Sequence, residues 1–277
     1  MAQVSRPANP TLDELRAVVQ PEGVLNRATA EHWTGTTYMR HASIHLTRLL
    51  LRTGISANGV TGLMIIVGFL CGPALLIPGI WGPVVAVFLA QAQMLLDCSD
   101  GEVARWRGTS SPRGIFLDQV GHFAAEGSIG LFLGLRATGW PAGDGFGSAE
   151  FWAYAFVGAL LMGGIWLNKS LNMMVIVARA KAGLDRLADD GRAAALPANT
   201  LVGRVRRAAR FVPFHRIYHS IEMTLLTLVV GLAAQFTADP LAVERGYVIV
   251  LAVAIWIVIV GHCAAIWASA KLRGSHA

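Results

Sequence analysis

The sequence predicts an all-α, polytopic membrane protein with six transmembrane helices and an N-terminal amphipathic cytoplasmic arm. Three observations carry this prediction. Hydrophobic residues fill 54% of the 277 positions, charged residues only 14%, and apolar runs of spanning length recur along most of the chain after Gly54. Ordinary soluble domains are roughly a quarter charged, and a helix needs roughly 20 apolar residues to cross a hydrocarbon core of about 30 Å.

Residues 1–54 form the arm. It carries Arg6, Arg16, Arg27, Arg40 and Arg48 without a long apolar run, so neither a signal-peptide core nor a span is expected there. Within it, residues 36–52 set Leu46, Leu49 and Leu50 against Arg40, Arg48 and Arg52, the pattern of a helix lying in the membrane interface. Residues 55–277 form the transmembrane domain, with spans expected near 57–78, 82–104, 113–135, 151–178, 216–236 and 245–270. Gly and Pro punctuate the breaks at Pro78-Gly79, 108–112, 139–147 and 237–240. The longest polar segment between spans is 181–215.

Orientation follows from Lys and Arg, which concentrate in cytoplasmic loops. The arm, the turn bearing Arg105, Arg107 and Arg113, the segment from Arg179 to Arg216, and the end with Lys271 and Arg273 hold nearly all of them. Only Arg136 and Arg245 fall in the opposite loops. The expectation is a multi-pass cell-membrane protein with both termini in the cytoplasm and the second-to-third span turn on the same side. The net charge of +6 flanks apolar spans rather than interleaving with aromatics, which argues for anionic membrane lipids and against nucleic acid as the partner. Cys71, Cys98 and Cys263 lie in or beside spans with no metal-ligand spacing, so they read as packing residues.

Acidic residues are costly inside a membrane and mark functional sites. Here they cluster. Span two ends with Asp97, Asp100, Gly101, Glu102, Ala104 and Arg105; span three begins with Gly114, Asp118 and His122. Asp97 and Asp100 share one helix face, as do Asp118 and His122, and the short turn folds the two faces together. Converging carboxylates repel one another unless cations bind, and hard oxygen donors select Mg²⁺, Mn²⁺ or Ca²⁺. Gly101 and Gly114 either let a phosphate-bearing ligand approach the backbone or serve close helix packing.

The run Asp97-x2-Asp100-Gly101-x2-Ala104-Arg105-x8-Gly114-x3-Asp118-x3-His122 resembles the signature of the CDP-alcohol phosphotransferase family, D-x2-D-G-x2-A-R-x8-G-x3-D-x3-D. Every fixed position agrees except the last, where His122 stands for Asp. Ile55-Ser56-Ala57-Asn58-Gly59-Val60-Thr61 is similar to the family's usual start of the first span. The resemblance implies a six-span homodimeric enzyme of phospholipid biosynthesis. Two divalent ions, Mg²⁺ or Mn²⁺, would be held by Asp97, Asp100 and Asp118, with Gly101, Ala104, Arg105 and Gly114 shaping the nucleotide and phosphate site. A CDP-diacylglycerol-like donor would pass its phospho-alcohol group to a small polar or phosphorylated acceptor and release CMP at the cytoplasmic face. His122 is then the base that takes the acceptor proton, a metal ligand through nitrogen, or the mark of a relative that binds nucleotide and metal without the usual turnover.

Other polar residues sit within the spans. Glu126 is read as orienting His122, replacing the missing motif carboxylate, or making an interhelical hydrogen bond. Lys169 needs a partner: a substrate phosphate, Glu126 or Glu222. His219 and Glu222 fit a cavity lining or helix contacts, and His262 fits packing. The basic cluster of Arg204, Arg206, Arg207, Arg210, His215 and Arg216 is read as a lipid-headgroup flank or a site for a phosphorylated acceptor. A cation transporter is the remaining rival. Its path would need polar groups through the membrane depth, whereas these acids gather toward one face.

Overall fold

A computed structural model of the chain describes residues 6–21, 34–142, 145–185, 216–269 and 272. Those residues are helical, with no strand among them. The helices are α1 (Leu12–Val19), α2 (Arg40–Arg52), α3 (Ala57–Ala74), α4 (Trp81–Arg107), α5 (Pro112–Ala137), α6 (Ala149–Lys181), α7 (Ser220–Ala234) and α8 (Pro240–Ala268). A π-helical stretch, Gly35–Met39, leads into α2, and single 3-10 turns precede α6 and α7.

Four helices are long and apolar enough to cross a membrane: α3, α4, α6 and α8, of 18, 27, 33 and 29 residues. The protein is therefore a multi-pass membrane protein. α5, at 26 residues, has the length but carries Asp118, Gln119, His122 and Glu126. α7 is apolar but has only 15 residues. The helix ends differ from the expected spans where local chemistry intervenes. α8 begins at Pro240, five residues earlier than expected, because Asp239 accepts from the Ala242 N–H and Pro at the first position has no N–H to satisfy. α3 stops at Ala74, where Leu75, Leu76 and Ile77 turn back onto the carbonyls of Gly72, Pro73 and Ala74.

The chain divides into two compact units. The first comprises residues 1–71 and 88–125. In its arm, Thr11 caps α1 through a capping box with Glu14. The amphipathic helices α1 and α2 then bury Leu15, Val19, Ile44 and Leu51 against Ala57, Val103 and Trp106. Each large side chain so buried contributes about 1.5–3 kcal/mol, so the arm helices are integral to this unit. Arg6 donates to the carbonyls of Arg105 and Trp106 and lies over the Trp106 ring, while Trp106 Nε1 donates to the Pro7 carbonyl. The Leu46, Leu49 and Leu50 stripe is not the buried face of α2: Leu49 is 58% exposed, and Ser43, Ile44, Thr47 and Leu51 are the residues packed inward.

The second unit comprises residues 72–87 and 126–277. α5 and α6 cross at Gly134 and Gly158, where a Cβ on either glycine would strike the other helix's backbone. α8 packs along α6 and α7, with Tyr218 donating to the Leu251 carbonyl at 3.0 Å and His262 Nδ1 lying 3.0 Å from Asn168 Oδ1. Arg136 and Arg245 are both engaged. Arg136 donates to the carbonyls of Leu75, Ile77 and Gly79 and to Glu244 at 2.6 Å, so it caps the turn that follows α3. Arg245 meets Glu150 at 2.7 Å, donates to the Ala137 carbonyl and lies over Tyr154. Cys71 and Cys98 are buried as expected of packing residues, whereas Cys263 is exposed on α8.

Removing Arg136 strands three carbonyls and a nearly buried carboxylate together. Arg136→Leu should cost about 3 kcal/mol of stability, read as a lowered unfolding temperature in detergent. An unchanged temperature would show that the capping is redundant.

Candidate active site

Local sequence builds the hairpin that carries the acids. α4 ends in a Schellman motif: Gly108 takes a left-handed φ of +66°, Thr109 N–H returns to the Ala104 carbonyl at 2.9 Å and Gly108 N–H to that of Arg105 at 3.4 Å. Four residues later Pro112 opens α5, and Ser111 accepts from the Gly114 N–H at 3.2 Å. The chain thus reverses in one short turn. At about 100° per residue, Asp97 and Asp100 lie some 60° apart on α4, and Asp118 and His122 some 40° apart on α5.

Within the first unit these faces meet. His122 Nε2 lies 3.2 Å from Asp97 Oδ1 and 3.6 Å from Asp118 Oδ1. One donor atom from each of the three residues falls within 4.8 Å of the others, and all three side chains are half-buried. Two hard carboxylate oxygens and an imidazole nitrogen at that spacing fit a divalent cation. Asp100 stands outside this trio: its Oδ2 accepts from Thr61 Oγ1 at 2.6 Å.

The remaining motif residues fall around the trio in distinct ways. Gly101 faces the guanidinium of Arg105, whose Nη1 would lie 3.1 Å from an added Cβ. Arg105 Nε donates to the Val19 carbonyl at the end of α1, at 2.8 Å. Ala104 packs partly into the apolar cluster beneath the arm. Gly114 gives room to Asn58, whose Oδ1 would lie 3.2 Å from a Cβ. Arg107 donates to the carbonyls of Ile55 and Thr53, tying the start of α3 to the end of α4.

Sequence reasoning assigned no role to three groups that the fold draws in. Thr61 and Asn58 belong to the opening run of α3, which carried a resemblance but no contact. Glu102 lies inside the acidic run, yet its side chain is fully buried and accepts from Gln20 Nε2 at 2.8 Å, Ser43 Oγ at 2.7 Å and Thr47 Oγ1 at 2.7 Å. The signal available was one more carboxylate than a helix face can direct at a single site.

In the second unit, Lys169 Nζ donates to both oxygens of Glu126, at 2.7 and 2.8 Å, and His219 Nδ1 lies 3.2 Å from Glu126 Oε1. Glu126, one of the partners weighed for Lys169, is engaged by it and makes an interhelical bond. Arg204, Arg206, Arg207, Arg210 and His215 lie outside the described residues; Arg216 begins the 3-10 turn before α7.

Asp100 depends on Thr61 for a hydroxyl donor in a partly buried place. Thr61→Val, which keeps shape and removes the donor, should destabilise the protein by about 1–2 kcal/mol, whereas Thr61→Ser should not. Equal unfolding temperatures for the two variants would deny the bond any weight.

A family model described as CDP-alcohol phosphatidyltransferase matches residues 54–270. No curated protein matches the chain. The matched stretch begins just before α3 and runs through α8, so it takes in the whole acid-bearing hairpin. Such proteins are membrane transferases of phospholipid synthesis that move a phospho-alcohol group from a CDP-alcohol to an alcohol acceptor, typically with a divalent metal. With that signature set on that hairpin, the chain belongs to the CDP-alcohol phosphatidyltransferase family.

Proposed function

We propose that this protein transfers the phospho-alcohol group of a CDP-diacylglycerol-like donor to the hydroxyl of a small polar or phosphorylated acceptor, releasing CMP. The observation that carries the reading is the convergence of Asp97, Asp118 and His122 within 4.8 Å on a membrane helix hairpin. Asp97, Asp118 and Asp100 would hold divalent ions, Mg²⁺ or Mn²⁺ and two in number. When bound, these supply charge neutralisation and orientation at the donor's pyrophosphate.

In the reaction the acceptor oxygen forms a bond to the phosphorus next to the alcohol, and the bond from that phosphorus to the CMP oxygen breaks. CMP leaves with the electron pair. The acceptor's proton goes to His122. A hydrogen bond from Nε2–H to Asp97 selects the tautomer in which Nδ1 accepts. Gly101, Ala104, Arg105 and Gly114 shape the nucleotide and phosphate site. Arg105 already lies against Gly101, and its planar fork suits phosphate.

The 3.2 and 3.6 Å approaches of Nε2 to two carboxylates also support a second reading, with His122 as a nitrogen ligand. The membrane arrangement proposed with this activity has α5 and α7 completing six spans, both termini and the site at the cytoplasmic face, and a homodimer, as the resemblance and the arginine distribution imply. α2 would rest in the interface through Leu46 and Leu49.

The deciding experiment measures CMP release from CDP-diacylglycerol by the full chain in detergent, with Mg²⁺ or Mn²⁺ and glycerol phosphate, inositol phosphate or serine as acceptor. Acceptor-dependent release abolished by chelator is expected. Donor binding without release on every acceptor would instead indicate a family member that binds nucleotide and metal without the usual turnover. Asp100→Asn should abolish metal-dependent donor binding. His122→Gln should cut turnover by about 10²–10⁴ while sparing donor and metal binding. Loss of metal binding in His122→Gln would favour the ligand reading.

A further inference from the structure

Glu102 is a fully buried carboxylate, five residues after Asp97 and two after Asp100. At about 100° per residue it projects some 140–160° away from both, onto the back of α4. There, among the described residues, it meets polar groups of the arm: Gln20 at the end of α1, and on α2 Ser43 and Thr47 by hydrogen bonds and Arg40 Nη1 at 3.7 Å. Arg40, Ser43 and Thr47 share one face of α2. Gln20 Nε2 also donates to the Arg40 carbonyl at 2.8 Å, which joins α1 to α2 around the carboxylate.

We propose that Glu102 is a positioning residue through which the arm fixes the rotation of α4, and thereby the placement of Asp97 and Asp100. A carboxylate with donors on both oxygens tolerates little movement. Turning α4 enough to displace the front-face acids would pull Glu102 out of its donors and leave a buried charge uncompensated. The other arm contacts on this helix end, Arg105 to Val19 and Arg6 to the last-turn carbonyls, resist the same rotation.

This inference rests on the proposed cation site at Asp97 and Asp118, so the test separates the two. Full-length protein in detergent is compared as wild type, Thr47→Ser, Ser43→Ala with Thr47→Val, Glu102→Leu and Asp97→Asn. The readouts are Mn²⁺ affinity from the free-ion EPR signal, kcat and KM for CMP release, and unfolding temperature. The double variant alters only the arm. It should weaken Mn²⁺ binding and lower kcat by about tenfold each, with donor KM changed much less, and Thr47→Ser should restore both. Glu102→Leu should show the same pattern if it folds. A double variant with lowered unfolding temperature but wild-type Mn²⁺ affinity and kcat would overturn the proposal, leaving Glu102 a purely structural clamp. Wild-type Mn²⁺ binding by Asp97→Asn would instead overturn the cation site itself.

Discussion

A charge buried between packed helices must be compensated where it stands, because water is excluded there. An uncompensated buried ion costs several kcal/mol, against about 0.5–1.5 kcal/mol gained from an ordinary hydrogen bond. That inequality orders the polar groups of this protein. Glu102 has donors on both oxygens, Glu126 has Lys169 and His219, and Arg136 has three carbonyls and Glu244. These are closed arrangements. The Asp97, Asp118 and His122 trio is different, since two carboxylates face one nitrogen with a fifth to a third of each side chain exposed. Its oxygen and nitrogen atoms lie close enough together to hold a cation.

Helical phase converts this requirement into geometry. α4 carries acids on two nearly opposite faces, and one face cannot serve both. The front pair, Asp97 and Asp100, is matched by residues of α5 and by Thr61 of α3, while the back acid, Glu102, is matched by α1 and α2. The turn of Gly108 and Pro112 is short enough to bring the two acid-bearing helix ends side by side without a long loop. The N-terminal arm, in turn, is packed by Leu15, Val19, Ile44 and Leu51 on the same helix end that bears the motif. The motif acids on the front of α4 and the arm contacts on its back are therefore carried by one helix.

Much of this was legible without coordinates. Apolar length marked the long helices, Gly108 and Pro112 marked the hairpin, and i,i+3 and i,i+4 spacing put Asp97 with Asp100 and Asp118 with His122. Lys169 required a partner or a watery cavity on energetic grounds, and Glu126 was among the partners considered, beside Glu222 and a substrate phosphate. Less legible was α2, where leucines suggested the lipid face but the inward face is built from Ser43, Ile44, Thr47 and Leu51. Polar residues there look like a solvated surface until the carboxylate they serve is known.

What the sequence determined by itself is the long apolar helices, the hairpin and the one-faced acid pairs, because these depend on periodicities and turn residues within about ten positions of one another. What only the tertiary structure decided is partnership across distance: Thr61 with Asp100, Asn58 beside Gly114, Arg105 on the Val19 carbonyl, and Gln20, Ser43 and Thr47 around Glu102. Helical period assigns a residue to a face, but the neighbour that fills that face is chosen by how the helices pack, and no local pattern encodes it.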